Sequence, residues 1–359
     1  MGRNDQEYDE RRFDELWRDI MVYSFKDKTI LITGGTGSLG NVILSRLLKF
    51  HESPEKIIIF SRDELKQHNM RLQYLNKLSA TDEIIYDNFK NFVNFKIGDI
   101  RDYHSVIRSL KDVNVIFNTA AIKQIPVAEY NPYEAVQTNV IGVQNIITAI
   151  SEFDLPVETF VGISTDKACK PVNAYGMTKA LMERMVISAN IDSNTRYILC
   201  RYGNVMASRG SVIPLFKEQI RTGNELTLTT KDMTRFMMNL DQAVDTVFDT
   251  YFNANDGEIY IPKIKSARME DVAIAMRGDR KIPIRIIGIR PGEKVHEILV
   301  SSEEMPNVTD RGNYYIIHPS LPEIYNFNHV KCEMNEYSSK TDVMYLKEVK
   351  ELLEREKLL

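Results

Sequence analysis

Leu31-Ile32-Thr33-Gly34-Gly35-Thr36-Gly37-Ser38-Leu39-Gly40 is the stretch that decides how this chain folds. A β-branched run starting at Thr29 leads into glycines at 34, 37 and 40, and residues 41–50 continue with helical period. This GxxGxxG spacing allows a tight turn and close backbone approach to a pyrophosphate, and it leaves free N–H groups at a helix start. A glycine triplet alone is weak evidence. Set between a strand and a helix in a first βαβ unit, it predicts a dinucleotide-binding loop of Gly34, Thr36, Gly37, Ser38, Leu39 and Gly40.

Outward from that loop, short apolar runs at 29–33, 56–60, 93–97, 113–118, 158–163 and 196–201 alternate with stretches of helical period such as 41–50 and 134–151. Alternation of this kind predicts an α/β fold, a doubly wound parallel sheet with helices on both faces. After Tyr202 the rhythm breaks. Residues 203–235 and 263–320 read as a smaller, discontinuous α/β lobe for substrate, and 25–202 with 236–262 as the dinucleotide-binding domain. Apolar residues at helical spacing predict one amphipathic helix over residues 9–21, within an extension of 1–24, and another within 345–359, at the end of an extension of 321–359.

The 359 residues include 43% hydrophobic and 27% charged side chains and carry a net charge of −4. A nucleic acid or an anionic membrane calls for a basic face, so neither is expected as a partner. Cys169, Cys200 and Cys332 show no CxxC spacing, and the histidines no HExxH, so nothing points to a disulfide framework or a metal site. The charged first twenty residues do not read as a signal peptide, and no apolar run reaches the length of a membrane span. A cytoplasmic enzyme acting on a small molecule is the expectation.

The end of the second strand indicates which dinucleotide binds. Where a carboxylate would hold a ribose 2′-OH, this chain has Ser61 and Arg62, with Lys66 one turn on. A hydroxyl, a guanidinium and an ammonium suit a 2′-phosphate, which predicts NADP. Asp99 and Ile100, after the third strand, are expected at the adenine pocket. Ser164-Thr165-Asp166-Lys167 follows another apolar strand, and Tyr175 and Lys179 stand at i and i+4 on one helix face. An ammonium beside a phenol lowers its pKa, so that the tyrosinate can take a hydroxyl proton.

Further segments carry a resemblance. TGGTGSLG (33–40), SRDELKQ (61–67), GDIRD (98–102), AAIKQIPVAEYNPYEAVQTNVIG (120–142), STDKACKPVNAYGMTK (164–179), RYGNVMASRGSVIPLF (201–216), MTRF (233–236) and IRPGEKVHE (289–297) resemble extended short-chain dehydrogenases/reductases. More closely, they are similar to the inverting UDP-N-acetylglucosamine 4,6-dehydratases. The resemblance implies a Rossmann-like fold, NADP as cofactor, UDP-N-acetylglucosamine as substrate and a homo-oligomer, a dimer or larger. It implies that Tyr175 takes the sugar 4-OH proton, with Lys179 tuning it and holding the nicotinamide ribose. Asp166 would protonate the departing 6-OH and Lys167 remove the C5 proton, with Thr165 beside them. The division of labour between Asp166 and Lys167 stays open, because an adjacent acid and ammonium titrate as a pair. Ala120, Ala121 and Lys123 would line the cofactor, with Lys123 also facing the sugar or its phosphates. Asn204, Arg209 and Val212 would hold the nucleotide, while Arg290 and Glu293 would clamp the diphosphate and a ribose hydroxyl. Asn118 and Asn139 are expected to be architectural, Asn139 by a water link to Lys179. The nearest rival is a UDP-hexose 4-epimerase, which needs no second acid/base pair. A retaining dehydratase, which leaves C5 unchanged, is a second rival, and a non-catalytic binder of NADP or a UDP-sugar a more distant one.

Overall fold

Strand β1 (Thr29–Thr33) is buried at every position and pairs in parallel with β2 (Lys56–Ser61) on one side and β4 (Val115–Asn118) on the other. The computed structural model of the chain describes residues 24–50, 52–75, 82–206, 211–325 and 332–359. The helix expected over 9–21 and the nucleotide contact expected at Arg209 lie outside these residues. β3 (Val93–Ile97) adds to β2, while β5 (Thr159–Thr165), β6 (Arg196–Tyr202) and the strand Ile259–Pro262 extend the sheet beyond β4, all in parallel. Among the described residues nine strands form this sheet, closed at one edge by the antiparallel strands Tyr314–Ile317 and Val308–Arg311.

Successive side chains of a strand point to opposite faces, and the core divides accordingly. On one face Leu31, Ile58, Ile116 and Phe160 pack with Val106, Val143, Ile146, Met182 and Val186 from three helices. On the other, Ile30, Ile32, Ile57, Ile59 and Phe117 meet Ile43, Leu44, Leu47, Val244 and Val247. A separate apolar cluster joins Ile213, Phe216, Leu226, Leu228, Val272 and Met276 to Val349, Leu352 and Leu353 of the terminal helix Leu346–Arg355.

Strand order reverses between β1 and β4, so the crevice beyond their carboxyl ends is where an α/β sheet receives a ligand. Two expectations need correction. Within residues 308–317, expected in the smaller lobe, Tyr314–Ile317 pairs with Ile259–Pro262 and Val308–Arg311 pairs with Tyr314–Ile317, burying Tyr315, Ile316 and Ile317 at the sheet edge. The single helix expected over 134–151 is instead Pro132–Val136, a π-helical turn Gln137–Ile141 and Gly142–Glu152. A π-turn adds a residue to the helical ladder without breaking the apolar face, so hydrophobic spacing does not reveal it. No helix of the described residues is long and apolar enough to cross a membrane.

Candidate active site

The glycine turn opens the site. Gly34 has φ 61°, and a Cβ there would stand 2.8 Å from Ala120 Cα, on the loop after β4. A Cβ at Gly40 would stand 2.5 Å from Gly35 Cα, so only glycine lets the helix Ser38–Leu47 start this close to the turn. No side chain caps that helix start at Gly37. Uncapped N–H groups beside a backbone stripped of side chains fit a pyrophosphate. Thr33 fastens the turn to the switch point: its hydroxyl donates to Asn118 Oδ1 at 2.6 Å and accepts from the Ala120 N–H at 3.3 Å.

At the end of β2 the expected residues have different surroundings. Ser61 is buried, and Gln67 Nε2 donates to both its carbonyl and its hydroxyl oxygen at 3.1 Å. The Arg62 side chain is 56% exposed, and its Nη1 is 3.5 Å from Asp99 Oδ2. Arg101 grips Asp99 more tightly, through Nε at 2.9 Å and Nη2 at 2.7 Å. Burial raises the Asp99 carboxyl pKa, but the Arg101 hydrogen bonds and charge outweigh it and leave the group below its ordinary value. Lys66 pairs with Asp63 at 2.9 Å on the surface. Ile100 is buried, and its carbonyl accepts from Asn145 Nδ2.

The end of β5 carries the residues expected to react. Asn173 caps the helix Ala174–Ser188 by accepting from the Gly176 N–H at 2.7 Å, and its Nδ2 donates to the Gly292 carbonyl at 2.8 Å. A Cβ at Gly176 would fall 2.2 Å from the Lys167 carbonyl oxygen, so this glycine seats the helix directly on the Asp166–Lys167 loop. The Thr165 hydroxyl donates to Asp166 Oδ1 at 2.9 Å, and Lys167 Nζ lies 2.8 Å from the same oxygen. Lys167 Nζ is also 3.6 Å from Glu297 Oε1, and Arg235 Nε is 3.7 Å from that oxygen.

Electrostatics here depart from the simple picture of a lysine activating a tyrosine. Burial pushes the Tyr175 phenol pKa up, and the groups that oppose it are the Lys167 charge and a hydrogen bond with Thr165. Lys179 is buried with its Nζ against Met182 Sδ at 2.9 Å; burial pulls its ammonium down to about 8, with Glu183 partly countering. Lys123 reaches solvent from the loop after β4, yet desolvation and then the Lys167 charge lower its ammonium below its ordinary value.

On the side of the smaller lobe, Asn204 Oδ1 is buried and accepts no hydrogen bond from a described residue. Glu293 Oε2 accepts from the Thr229 hydroxyl at 3.2 Å, and Arg290 is exposed. Val212 opens the helix Val212–Arg221. Residues without an assigned role in the sequence also converge. Arg201 is fully buried and is held by both oxygens of Glu183 (2.7 and 2.9 Å), both oxygens of Glu304 (2.8 and 2.9 Å) and the Leu299 carbonyl. Glu183 lies one turn beyond Lys179, a spacing visible in the sequence; nothing local marks Glu304 as its partner on Arg201, or Glu297 and Arg235 as neighbours of Lys167.

These loops and charges are those of a known group. The family model described as "Polysaccharide biosynthesis protein" matches residues 30–319. The chain belongs to that family. A "UDP-glucose 4-epimerase" from Rickettsia bellii is 43% identical over 343 residues, covering 92% of this chain and 96% of the relative. One of the same name from Rickettsia prowazekii is 44% identical over 346 residues, covering the same shares. The X-ray structure of Pen from Bacillus thuringiensis superposes with a TM-score of 0.83 at 34% identity, covering 93% of this chain and 99% of Pen. DesIV, a dTDP-glucose 4,6-dehydratase from Streptomyces venezuelae solved with NAD, shares the fold at a TM-score of 0.62 and 20% identity, covering 74% of this chain and 86% of DesIV. This member of the polysaccharide-biosynthesis family is a protein of the nucleotide-sugar epimerase and dehydratase type.

Proposed function

We propose that this protein is an NADP-dependent, inverting UDP-N-acetylglucosamine 4,6-dehydratase. The observation that carries the reading is the Asp166–Lys167 pair, buried at 2.8 Å beside Tyr175. Oxidation at C4 requires one group to take the 4-OH proton. Loss of water across C5 and C6 requires another acid and another base, and an epimerase uses neither.

The glycine cradle would hold NADP, which would supply hydride transfer between C4 and C6. Gly34, Gly37 and Gly40 admit the pyrophosphate, and Arg62, half free of Asp99, supports a 2′-phosphate. Tyr175 takes the 4-OH proton. It does so as the tyrosinate, the form that the Lys167 charge and the Thr165 hydrogen bond favour against burial. The 4-ketone acidifies the C5 proton, Lys167 removes it, and Asp166 protonates the departing 6-OH. Resting Lys167 is an ammonium, so the working form is the pair with its proton moved to Asp166. That one shift supplies both the acid and the base. Reprotonation of C5 from the opposite face gives the L-configured 4-keto-6-deoxy sugar.

The epimerase reading is favoured by the name of relatives 43% identical to this chain. Incubation with UDP-N-acetylglucosamine in D₂O separates the two. Loss of one water with deuterium at C5 and inverted configuration supports the inverting dehydratase; retained C5 configuration points to the retaining branch. Unchanged mass with C4 epimerised would overturn the proposal in favour of the epimerase.

A further inference from the structure

Four charged side chains alternate in sign through the interior of the site. Asp166 Oδ1 is 2.8 Å from Lys167 Nζ, Lys167 Nζ is 3.6 Å from Glu297 Oε1, and that oxygen is 3.7 Å from Arg235 Nε. The outer pair is rigidly placed. Arg235 donates from Nη1 to the Thr234 and Val295 carbonyls (2.7 and 3.1 Å) and from Nη2 to the Lys294 carbonyl (2.9 Å). The Glu297 N–H donates to Ser339 Oγ at 3.0 Å, and the Ser339 N–H donates to the Glu297 carbonyl at 2.8 Å.

A salt bridge serving stability alone leaves no oxygen idle, because a buried acceptor without a donor costs about 1–3 kcal/mol. Here Asp166 Oδ2 and Glu297 Oε2 are both buried, and neither accepts from any described residue. The two idle oxygens belong to the two carboxylates that flank one ammonium.

We infer that Glu297, braced by Arg235, is a positioning residue that fixes the Lys167 ammonium beside Asp166 and opposes the loss of its proton. The inference rests on the dehydratase reading, in which Lys167 takes the C5 proton. The charged and titratable groups facing Lys167 are Asp166 on its own loop, Glu297, Arg235 from the strand Thr234–Phe236, Lys123 from the loop after β4 and Tyr175 from the helix that follows. Desolvation and Arg235 favour the neutral amine, Asp166 and Glu297 favour the ammonium, and the carboxylates prevail, holding Lys167 well above the ordinary lysine range. Removing the Glu297 charge therefore lets Lys167 deprotonate at lower pH.

The test compares wild-type holoenzyme with Glu297→Gln and Glu297→Asp, using UDP-N-acetylglucosamine in D₂O. Deuterium entry at C5 is followed against pH, and C4 oxidation is followed by the absorbance of reduced nicotinamide. In Glu297→Gln the limb of C5 exchange moves to lower pH by about one unit or more. Glu297→Asp, whose charge sits farther from Lys167, moves it less and in the same direction, which keeps the test decisive if the Gln variant does not fold. C4 oxidation, which feels Lys167 only through its charge on Tyr175, shifts less than C5 exchange in both. An unmoved limb, or an equal loss of both steps at every pH, overturns the inference alone. Absence of C5 exchange in the wild type overturns the dehydratase reading and the inference with it.

Discussion

Asn139 holds Ile122 by both ends of its amide: Oδ1 accepts from the Ile122 N–H at 2.9 Å, and Nδ2 donates to the Ile122 carbonyl at 2.9 Å. The same Nδ2 reaches Thr178 Oγ1 at 3.0 Å, and the Thr178 hydroxyl donates to the Tyr175 carbonyl at 2.8 Å. The π-turn thus ties the loop bearing Lys123 to the helix bearing Tyr175. Asn139→Ala leaves both Ile122 groups unpaired and is expected to cost about 2–3 kcal/mol in urea unfolding. A loss no larger than that of an ordinary surface substitution would show that the loop is held by other means.

In the proposed mechanism Tyr175→Phe removes the base for the 4-OH, and Lys167→Ala removes the base for C5. Both variants are expected to retain cofactor while turnover falls at least about a hundredfold. They differ in one respect: Lys167→Ala still reduces the nicotinamide with substrate, and Tyr175→Phe does not. Near-normal turnover in either variant would remove that residue from its assigned role.

Gly176→Ala places a methyl where the Lys167 carbonyl oxygen is only 2.2 Å away. Helix and loop must then separate by about an ångström, enough to misplace an acid/base pair by a factor of about a hundred in rate. Turnover should collapse far beyond what the accompanying loss of stability, about 1–3 kcal/mol, explains, while cofactor affinity changes little, measured on the same preparation.

Lys179 gives a pH signature. Its folded-state pKa of about 8 lies below the ordinary lysine value of 10.5, so between those values the unfolded chain binds more protons than the folded one. Stability from this group rises with pH across that window, and the cost of burying the charge is fully present below pH 8. Lys179→Met should therefore be the more stable protein at neutral pH, by about 3 kcal/mol, with the advantage fading as the pH approaches 10.5. A difference that does not vary with pH would mean that Lys179 is not held near 8.

Arg62→Glu is expected to weaken NADP about tenfold or more while leaving NAD almost unchanged, by calorimetric titration of each. Equal losses for both would remove Arg62 from the 2′-phosphate site.

The centre of the sheet is legible in the sequence because strands such as β1 are buried at every position and read as β-branched apolar runs; β1 and the half-exposed edge strand β3 both have the bounds expected from sequence. The glycine turn and the Tyr175–Lys179 spacing are local patterns and stand where they are expected. What sequence spacing cannot show is long-range. Residues 308–317 read like many strands, and only the pairing of Tyr314–Ile317 with Ile259–Pro262 puts them at the sheet edge. Glu297 and Arg235 lie within segments that resemble the family, but neither is near Lys167 in sequence. The Tyr175 environment differs from expectation for a related reason: burial, which spacing does not report, outweighs the charges that would lower its pKa.

Arg201 touches Glu183 on the Tyr175 helix, Glu304 just after the strand Ile298–Val300, and the Leu299 carbonyl of that strand, with Ser164 donating to Glu183 from the strand that leads into Asp166. With five hydrogen bonds to Arg201, no one of these segments can shift without stranding a buried charge. The reacting groups are therefore ordered when the chain folds and not when a sugar arrives. A rigid mimic of the flattened, half-eliminated ring should bind this centre more tightly than a flexible substrate analogue does, since the analogue alone has freedom left to lose.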